Sequence, residues 1–349
     1  MSGVSAGSSG ACPRRVLIIK PSAIGDVVHA LPILPRLRKL WPDAKLSWMV
    51  TPGCAALVER HPLVDEVILF ERKRLGRGWH SPAALWELGA FLRRLRRRGF
   101  DLVIDLQGLF RSAWVAMVSG APRRIGFSNA REFAPLCYSE LVDCSWEKEH
   151  AVERYLKIAS ALGCADGPVE FQFAVDDEDR RYIEDVIPAG TSYAVLMPGT
   201  NWQTKRWPVE KFAGMVRPLK ERFGMETVVV GGAMDAGLTG RIPAKYDLTA
   251  KTNLRQIVAL LERARLVIGN DTGPVHIAAA MGIPLVAAYG PTDPARTGPF
   301  GREDSVVRLD LPCSPCYSRT CCHRSCMEWL EIDRILETAA EQIGKRRRV

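Results

Sequence analysis

The sequence predicts an α/β protein made of two Rossmann-like, doubly wound domains, each with a parallel sheet. Three observations carry this. Short apolar runs such as residues 15–20 (RVLIIK) alternate with amphipathic helical segments, the β-α-β pattern of parallel sheets. The pattern restarts after residues 171–176 with a second buried strand at 193–197. The length, 349 residues, exceeds what one hydrophobic core usually organises.

Residues 15–20 read as a central strand because every position from Val16 to Ile19 is apolar. A Pro-Ser-Ala-Ile-Gly-Asp turn leads to a helix over 27–40, where apolar residues recur at helical spacing. Strands follow at 46–50 and 66–70 around a short helix at 54–60, then a long amphipathic helix over 79–98 stopped by Gly99. A strand at 102–106, a helix at 112–119, a short strand at 124–126 and a helix at 149–162 closed by Gly163 complete the first series. The second series has strands at 193–197, 227–230, 266–269 and 285–289, with helices at 209–223, 254–264 and 274–281. The expected division is a floppy Ser/Gly-rich leader over 1–13, domains over 14–172 and 173–326, and a helix within 327–349 that packs back on the first domain.

The composition, 47% hydrophobic and 25% charged, is that of a globular protein. No apolar run approaches the roughly 20 residues that span a bilayer, and the leader lacks a secretory core, so a cytosolic protein is expected. The net charge of +9 is uneven: 24 Lys/Arg against 17 Asp/Glu in residues 1–172 gives +7, and 24 against 22 in the remainder gives +2. The first half therefore suits an acidic partner. Basic residues interleaved with aromatics on a nucleic-acid motif are missing, so an anionic small molecule or membrane surface is expected and nucleic acid is not. Arg93, Arg94, Arg96, Arg97 and Arg98 also fit a merely solvated helix face.

Residues 267–276 (VIGNDTGPVH) are the most informative stretch. A buried strand runs straight into a helix whose start, at Thr272 and Gly273, leaves backbone N–H groups free. Dipole and donors together favour a phosphate or diphosphate there. Asp271 and His276 stand where they can hold polar groups of the same ligand, although an ordinary capped turn uses the same residues. Asp26, beside Gly25, lies just past the first strand, in a position that suits either a general base or a helix cap. Ligands of such sheets sit at the carboxyl ends of strands. Loops 20–26, 105–111, 198–205, 231–235, 270–276 and 289–292 should thus converge on a cleft between the domains. Neither a Gly-x-Gly-x-x-Gly nor a Gly-Lys-Ser/Thr loop follows a strand, which argues against nicotinamide and P-loop chemistry.

Taken together, KPSAIGDVVHALP (20–32), DLQGLFRSA (105–113), NDTGPVH (270–276) and YGPTDP (289–294) resemble the ADP-heptose:lipopolysaccharide heptosyltransferase family from residue 15 to about 330. AREFA (130–134) and HAVER (150–154) resemble its heptosyltransferase I branch. The resemblance implies a GT-B architecture, an inverting transfer of heptose from ADP-heptose to a Kdo residue of Kdo-lipid A, no cofactor and no required metal. Asp26 is then the catalytic base. Thr200, Asn201, Lys205, Asp235, Thr252, Asp271, Thr272, Gly273 and His276 would bind the donor, with Lys205 on the diphosphate, Asp271 on heptose hydroxyls and Asp235 on the ribose. Ser22, Arg72, Lys73, Arg74, Gln107, Arg111 and Arg131 would meet the anionic acceptor at the cytoplasmic face of the inner membrane. Heptosyltransferase II, another nucleotide-sugar GT-B transferase and a non-catalytic nucleotide-sugar-binding scaffold remain alternatives. The segment with Cys313, Cys316, Cys321, Cys322, His323 and Cys326 fits either a structural zinc site or a loop of thiols or disulfides.

Overall fold

Val16 and Ile18 of strand β1 (Arg15–Ile19) enter one buried cluster, Leu17 and Ile19 another, so this strand demands apolar cover on both faces. A computed structural model, describing residues 12–71 and 82–346, supplies that cover. The first sheet is completed by β2 (Lys45–Val50), β3 (Glu66–Leu69), β4 (Leu102–Asp105), β5 (Arg123–Phe127) and β6 (Glu140–Val142). Its order is β3-β2-β1-β4-β5-β6, and every pair is parallel. Its helices are α1 (Ile24–Ala30), α2 (Ile33–Leu40), α3 (Pro82–Arg97), α4 (Phe110–Val118) and α5 (Ala151–Ala161). The first two and α5 cover the Val16/Ile18 face, while α3 and α4 cover the Leu17/Ile19 face.

The second sheet contains β7 (Tyr193–Met197), β8 (Glu226–Val229), β9 (Tyr246–Asp247), β10 (Leu266–Asn270), β11 (Leu285–Ala288) and β12 (Val306–Val307). Its order, β12-β11-β10-β7-β8-β9, is again all parallel. Around it lie α6 (Asp177–Val186), α7 (Val209–Phe223), α8 (Leu254–Glu262), α9 (Gly273–Ala280) and α10 (Ile332–Arg346). One apolar cluster continues from the α1 side of the first sheet to the α9 side of the second, so the two halves share buried surface where the helices meet.

Four expectations change. The helix expected over 27–40 is two helices, because Pro32 has no N–H to continue the first. Its start moves forward to Ile24, where Asp26 Oδ2 accepts the Ala23 N–H at 3.0 Å. α6 lies in a stretch left without structure: its charge-rich sequence hides the helix, which is marked by Asp176 accepting the Asp179 N–H at 3.0 Å. The edge strand β6 is too short to show a period. Finally, among the described residues α10 packs on the second sheet, where packing on the first domain was expected. Ile335, Leu336, Ala339 and Ile343 meet Leu196, Val286 and Ala288 there, and Arg302 donates to Gln342 Oε1 at 2.8 Å. The outer face of β11 and β12 would otherwise lie bare.

Candidate active site

The site is built where two helix N-termini, one from each sheet, meet. Residue 25 must be small because a Cβ there would stand 2.7 Å from His276 Cδ2. Residue 273 must be small because its Cβ would stand 2.4 Å from that of Ile24. The start of α1 therefore packs on the start of α9, and Asp26 and Thr272 lie one residue from these contacts. Asp26 is half-buried in the first turn of α1 and closes its own helix by accepting the Ala23 N–H at 3.0 Å.

Lys20, at the end of β1, is the charged neighbour that the sequence did not single out. Its ammonium is buried, donates to the Leu106 carbonyl at 3.3 Å and lies 5.0 Å from the Tyr155 ring centre. Burial alone would lower its pKa; Tyr155 and Asp26 outweigh that and raise it. A lysine closing an otherwise apolar strand was the available signal.

On the opposite side, Asp271 is 7% exposed and fully engaged. Its Oδ2 accepts from Lys205 Nζ at 2.6 Å and Thr292 Oγ1 at 2.7 Å, and its Oδ1 from Tyr289 OH at 3.2 Å. His276 Nε2 stands 3.5 Å from Oδ1. Burial would raise this carboxyl, but His276 and Lys205 override it and hold it well below the usual carboxylate range. With both oxygens occupied, Asp271 fixes Lys205 and leaves little acceptor capacity for sugar hydroxyls. Lys205 is also 4.5 Å from the Trp202 ring centre, so its ammonium is aimed from two sides.

Asn270, buried at the end of β10, ties the surrounding loops together. Its side chain accepts the Trp207 N–H at 3.0 Å and donates to the Pro198 carbonyl at 2.7 Å. Thr200 Oγ1 donates to the Asp271 carbonyl at 3.2 Å, and Arg206 donates to the Thr200 carbonyl at 3.0 and 3.2 Å. Arg206 also stands 3.7 Å from Asp235, whose Oδ2 accepts the Gly232 N–H at 2.9 Å. Thr200, Lys205, Asp235, Asp271, Thr272 and Gly273 thus rim the carboxyl ends of the second sheet, with Asn201 exposed beside them. Thr252 is half-buried before α8, next to that rim because Ala250 donates to the Gly231 carbonyl at 2.9 Å. Sequence reasoning gave no role to Asn270, although it opens the 270–276 motif, or to Arg206; both act by tying neighbouring loops together.

Behind the meeting point three imidazoles meet edge to face. His29 of α1 lies 5.0 Å from His150 and 4.6 Å from His276, centre to centre. His150 caps α5 by accepting the Val152 N–H at 3.2 Å. Burial, then the neighbouring imidazoles, hold His29 well below the usual histidine range, and burial lowers His150 to about 4. His276 is therefore inside the interface, facing Asp271 and His29.

In the first domain a cavity of about 270 Å³ opens beside the end of β1, lined by Ser22, Gln107, Arg111, Phe70, Leu109 and Glu132 among others. Asp105, fully buried, holds the lining residue Gln107 by accepting its N–H at 2.8 Å, and also accepts from Tyr138 OH at 2.7 Å. Arg131 is exposed and does not line the cavity; its N–H donates to the Gly108 carbonyl at 3.1 Å. Arg72, Lys73 and Arg74 lie outside the described residues. The cysteines of the 313–326 segment carry free thiols, and Cys321 Sγ accepts the Arg324 N–H at 3.3 Å. Among the described residues, no group of three or more His, Cys, Asp or Glu side chains is placed to hold a metal ion.

The profile of glycosyltransferase family 9 (heptosyltransferase) matches residues 88–326. The chain is 32% identical over 317 residues to lipopolysaccharide heptosyltransferase 1 of Pseudomonas aeruginosa, covering 89% of this chain and 88% of that one. It is 29% identical over 315 residues to lipopolysaccharide heptosyltransferase 2 of Escherichia coli, covering 84% and 88%. The solved structure of E. coli heptosyltransferase WaaC with ADP superposes with a TM-score of 0.78 at 28% identity, covering 94% of this chain and 99% of that one. The two facing sheets are those of a GT-B glycosyltransferase, and the chain belongs to glycosyltransferase family 9, the heptosyltransferases.

Proposed function

We propose that this heptosyltransferase of lipopolysaccharide core synthesis moves heptose from ADP-heptose to a Kdo residue of Kdo-lipid A, with inversion, at the cytoplasmic face of the inner membrane. The observation that carries the reading is the packing of Ile24 and Gly25 against Gly273 and His276, which sets Asp26 beside the Thr272–Gly273 turn. The relatives' names and the ADP bound to one of them support the donor class.

In this reading the donor diphosphate rests on the N-terminus of α9 with Lys205 beside it, and the acceptor enters past Ser22, Gln107 and Arg111. Asp26 removes the acceptor hydroxyl proton while that oxygen bonds to the anomeric carbon. The anomeric C–O bond to the diphosphate breaks, and ADP leaves with the electron pair. Lys205 and the backbone N–H groups of Thr272 and Gly273 receive the charge that develops on it. Asp271 acts as a positioning residue for Lys205, and Asp235 with Thr252 flanks the nucleoside end. Holding both sugars in line across the cleft supplies much of the acceleration.

A donor panel of ADP-heptose, ADP-glucose and UDP- and GDP-sugars against Kdo-lipid A, with product mass recorded, tests this. One added heptose from ADP-heptose alone supports the reading. Addition only to an already heptosylated core would instead make the enzyme a heptosyltransferase II. ADP binding without transfer from any donor would make it a scaffold.

A further inference from the structure

The outer layer of the first domain carries apolar side chains that the fold leaves in solvent. Phe133 is 79% exposed and Leu136 is 82% exposed, on a short loop packed against α4. α4 itself exposes Phe110 and Met117, seven residues apart and so on one helical face. α3, on the same side of the sheet, exposes Leu85 and Trp86. Trp86 shares its face with the exposed Arg93 and Arg97, seven and eleven residues further on.

The backbone holds this presentation in place. Glu132 and Phe133 both have positive φ, 58° and 60°, a conformation that non-glycine residues rarely adopt. Two hydrogen bonds keep it: Glu132 Oε2 accepts the Phe110 N–H at 3.3 Å, and Ala134 donates to the Arg131 carbonyl at 3.0 Å. The fold thus spends unfavourable backbone geometry on turning an aromatic ring outward. Exposed arginines at 93, 94, 97, 111 and 131 belong to the same helices and loop. Aromatic and aliphatic side chains set among arginines are the composition of a surface that enters an anionic lipid interface. Leu109, Arg111 and Glu132, which flank Phe110 and Phe133, also line the acceptor cavity, so docking would bring that cavity to the membrane.

We propose that Phe133 and Leu136, supported by Phe110, Trp86 and the arginines of α3, dock this domain on an anionic lipid bilayer. This rests on the proposed acceptor being a membrane glycolipid, and it assigns the surface by which the enzyme reaches it.

The test uses the full chain, co-sedimented with phosphatidylethanolamine/phosphatidylglycerol vesicles or with phosphatidylcholine vesicles. Wild type should bind the anionic vesicles, and raised salt should release it. Phe133→Ser combined with Leu136→Ser should weaken binding at least about tenfold, with unfolding temperature and transfer to a water-soluble Kdo acceptor unchanged. Arg93→Gln and Arg97→Gln should each cost about fivefold, and Phe133→Leu should restore most of the binding. Absent sedimentation, equal binding to neutral vesicles or full binding by the double variant would overturn the proposal. Vesicle binding without transfer to the soluble acceptor would uphold this surface while counting against the proposed reaction.

Discussion

Ile24 fills the space that a side chain at residue 273 would need: a Cβ there would stand 2.4 Å from Ile24 Cβ. Such a separation cannot be absorbed without moving one helix, since the facing atom, Ile24 Cβ, is fixed to the backbone of α1. Gly273→Ala should therefore separate the starts of α1 and α9, destabilise the protein by about 1–3 kcal/mol and depress transfer more than ADP binding. Ile24→Gly in the same chain removes that Cβ and should recover part of the lost transfer. Thermal unfolding and transfer rates on the two variants check this; an undisturbed Gly273→Ala enzyme would contradict the packing.

Lys205, partly buried, pairs with the buried Asp271, and removing one partner strands the other. Asp271→Ala should cost about 3–5 kcal/mol and weaken ADP binding, because Lys205 loses its anchor. Lys205→Met should be gentler on stability, since Thr292 and Tyr289 still satisfy Asp271, yet should weaken ADP clearly. Chemical denaturation paired with calorimetric titration of ADP separates the two effects. Equal losses of stability in both variants would count against this asymmetry.

The clustered histidines make the α1–α9 junction sensitive to acid. His29 and His150 have folded pKa values below the ordinary value near 6.5. Below about pH 6.5 the unfolded chain takes up protons that the folded chain refuses. Their contribution to stability is thus present above that pH and lost as pH falls toward about 4, the folded value for His150. The expected slope is about 1.4 kcal/mol per pH unit for each histidine held neutral. His29→Phe should flatten the dependence between about pH 6.5 and 4, because neither ring nitrogen of His29 has a hydrogen-bond partner among the described residues. A slope identical to wild type would contradict the assignment.

Much of the architecture was legible because apolar runs and helical periods are local properties. Tyr193–Met197 and Val209–Phe223 have the expected boundaries. The errors fall where a long-range or single-residue effect decides: Pro32 dividing a helix, charge concealing Asp177–Val186, and a bare sheet face capturing Ile332–Arg346. The site shows the same division. Motifs pointed to Asp26, Lys205 and Asp271, but nothing local reveals that Asp271 is already bonded to Lys205, Thr292 and Tyr289. Nor could sequence alone show that residues 25 and 273 must be small, since the side chains that exclude a Cβ come from the other domain.

In the proposed reaction Asp26 takes the acceptor proton at this junction. Asp26→Asn keeps shape while removing the base, so the decisive measurement is its rate of transfer from ADP-heptose to Kdo-lipid A beside its affinity for ADP. Transfer should fall by about 10²–10⁴-fold with ADP affinity little altered. An Asp26→Asn enzyme that still transfers heptose near the wild-type rate would show that Asp26 merely caps α1 and that the base lies elsewhere.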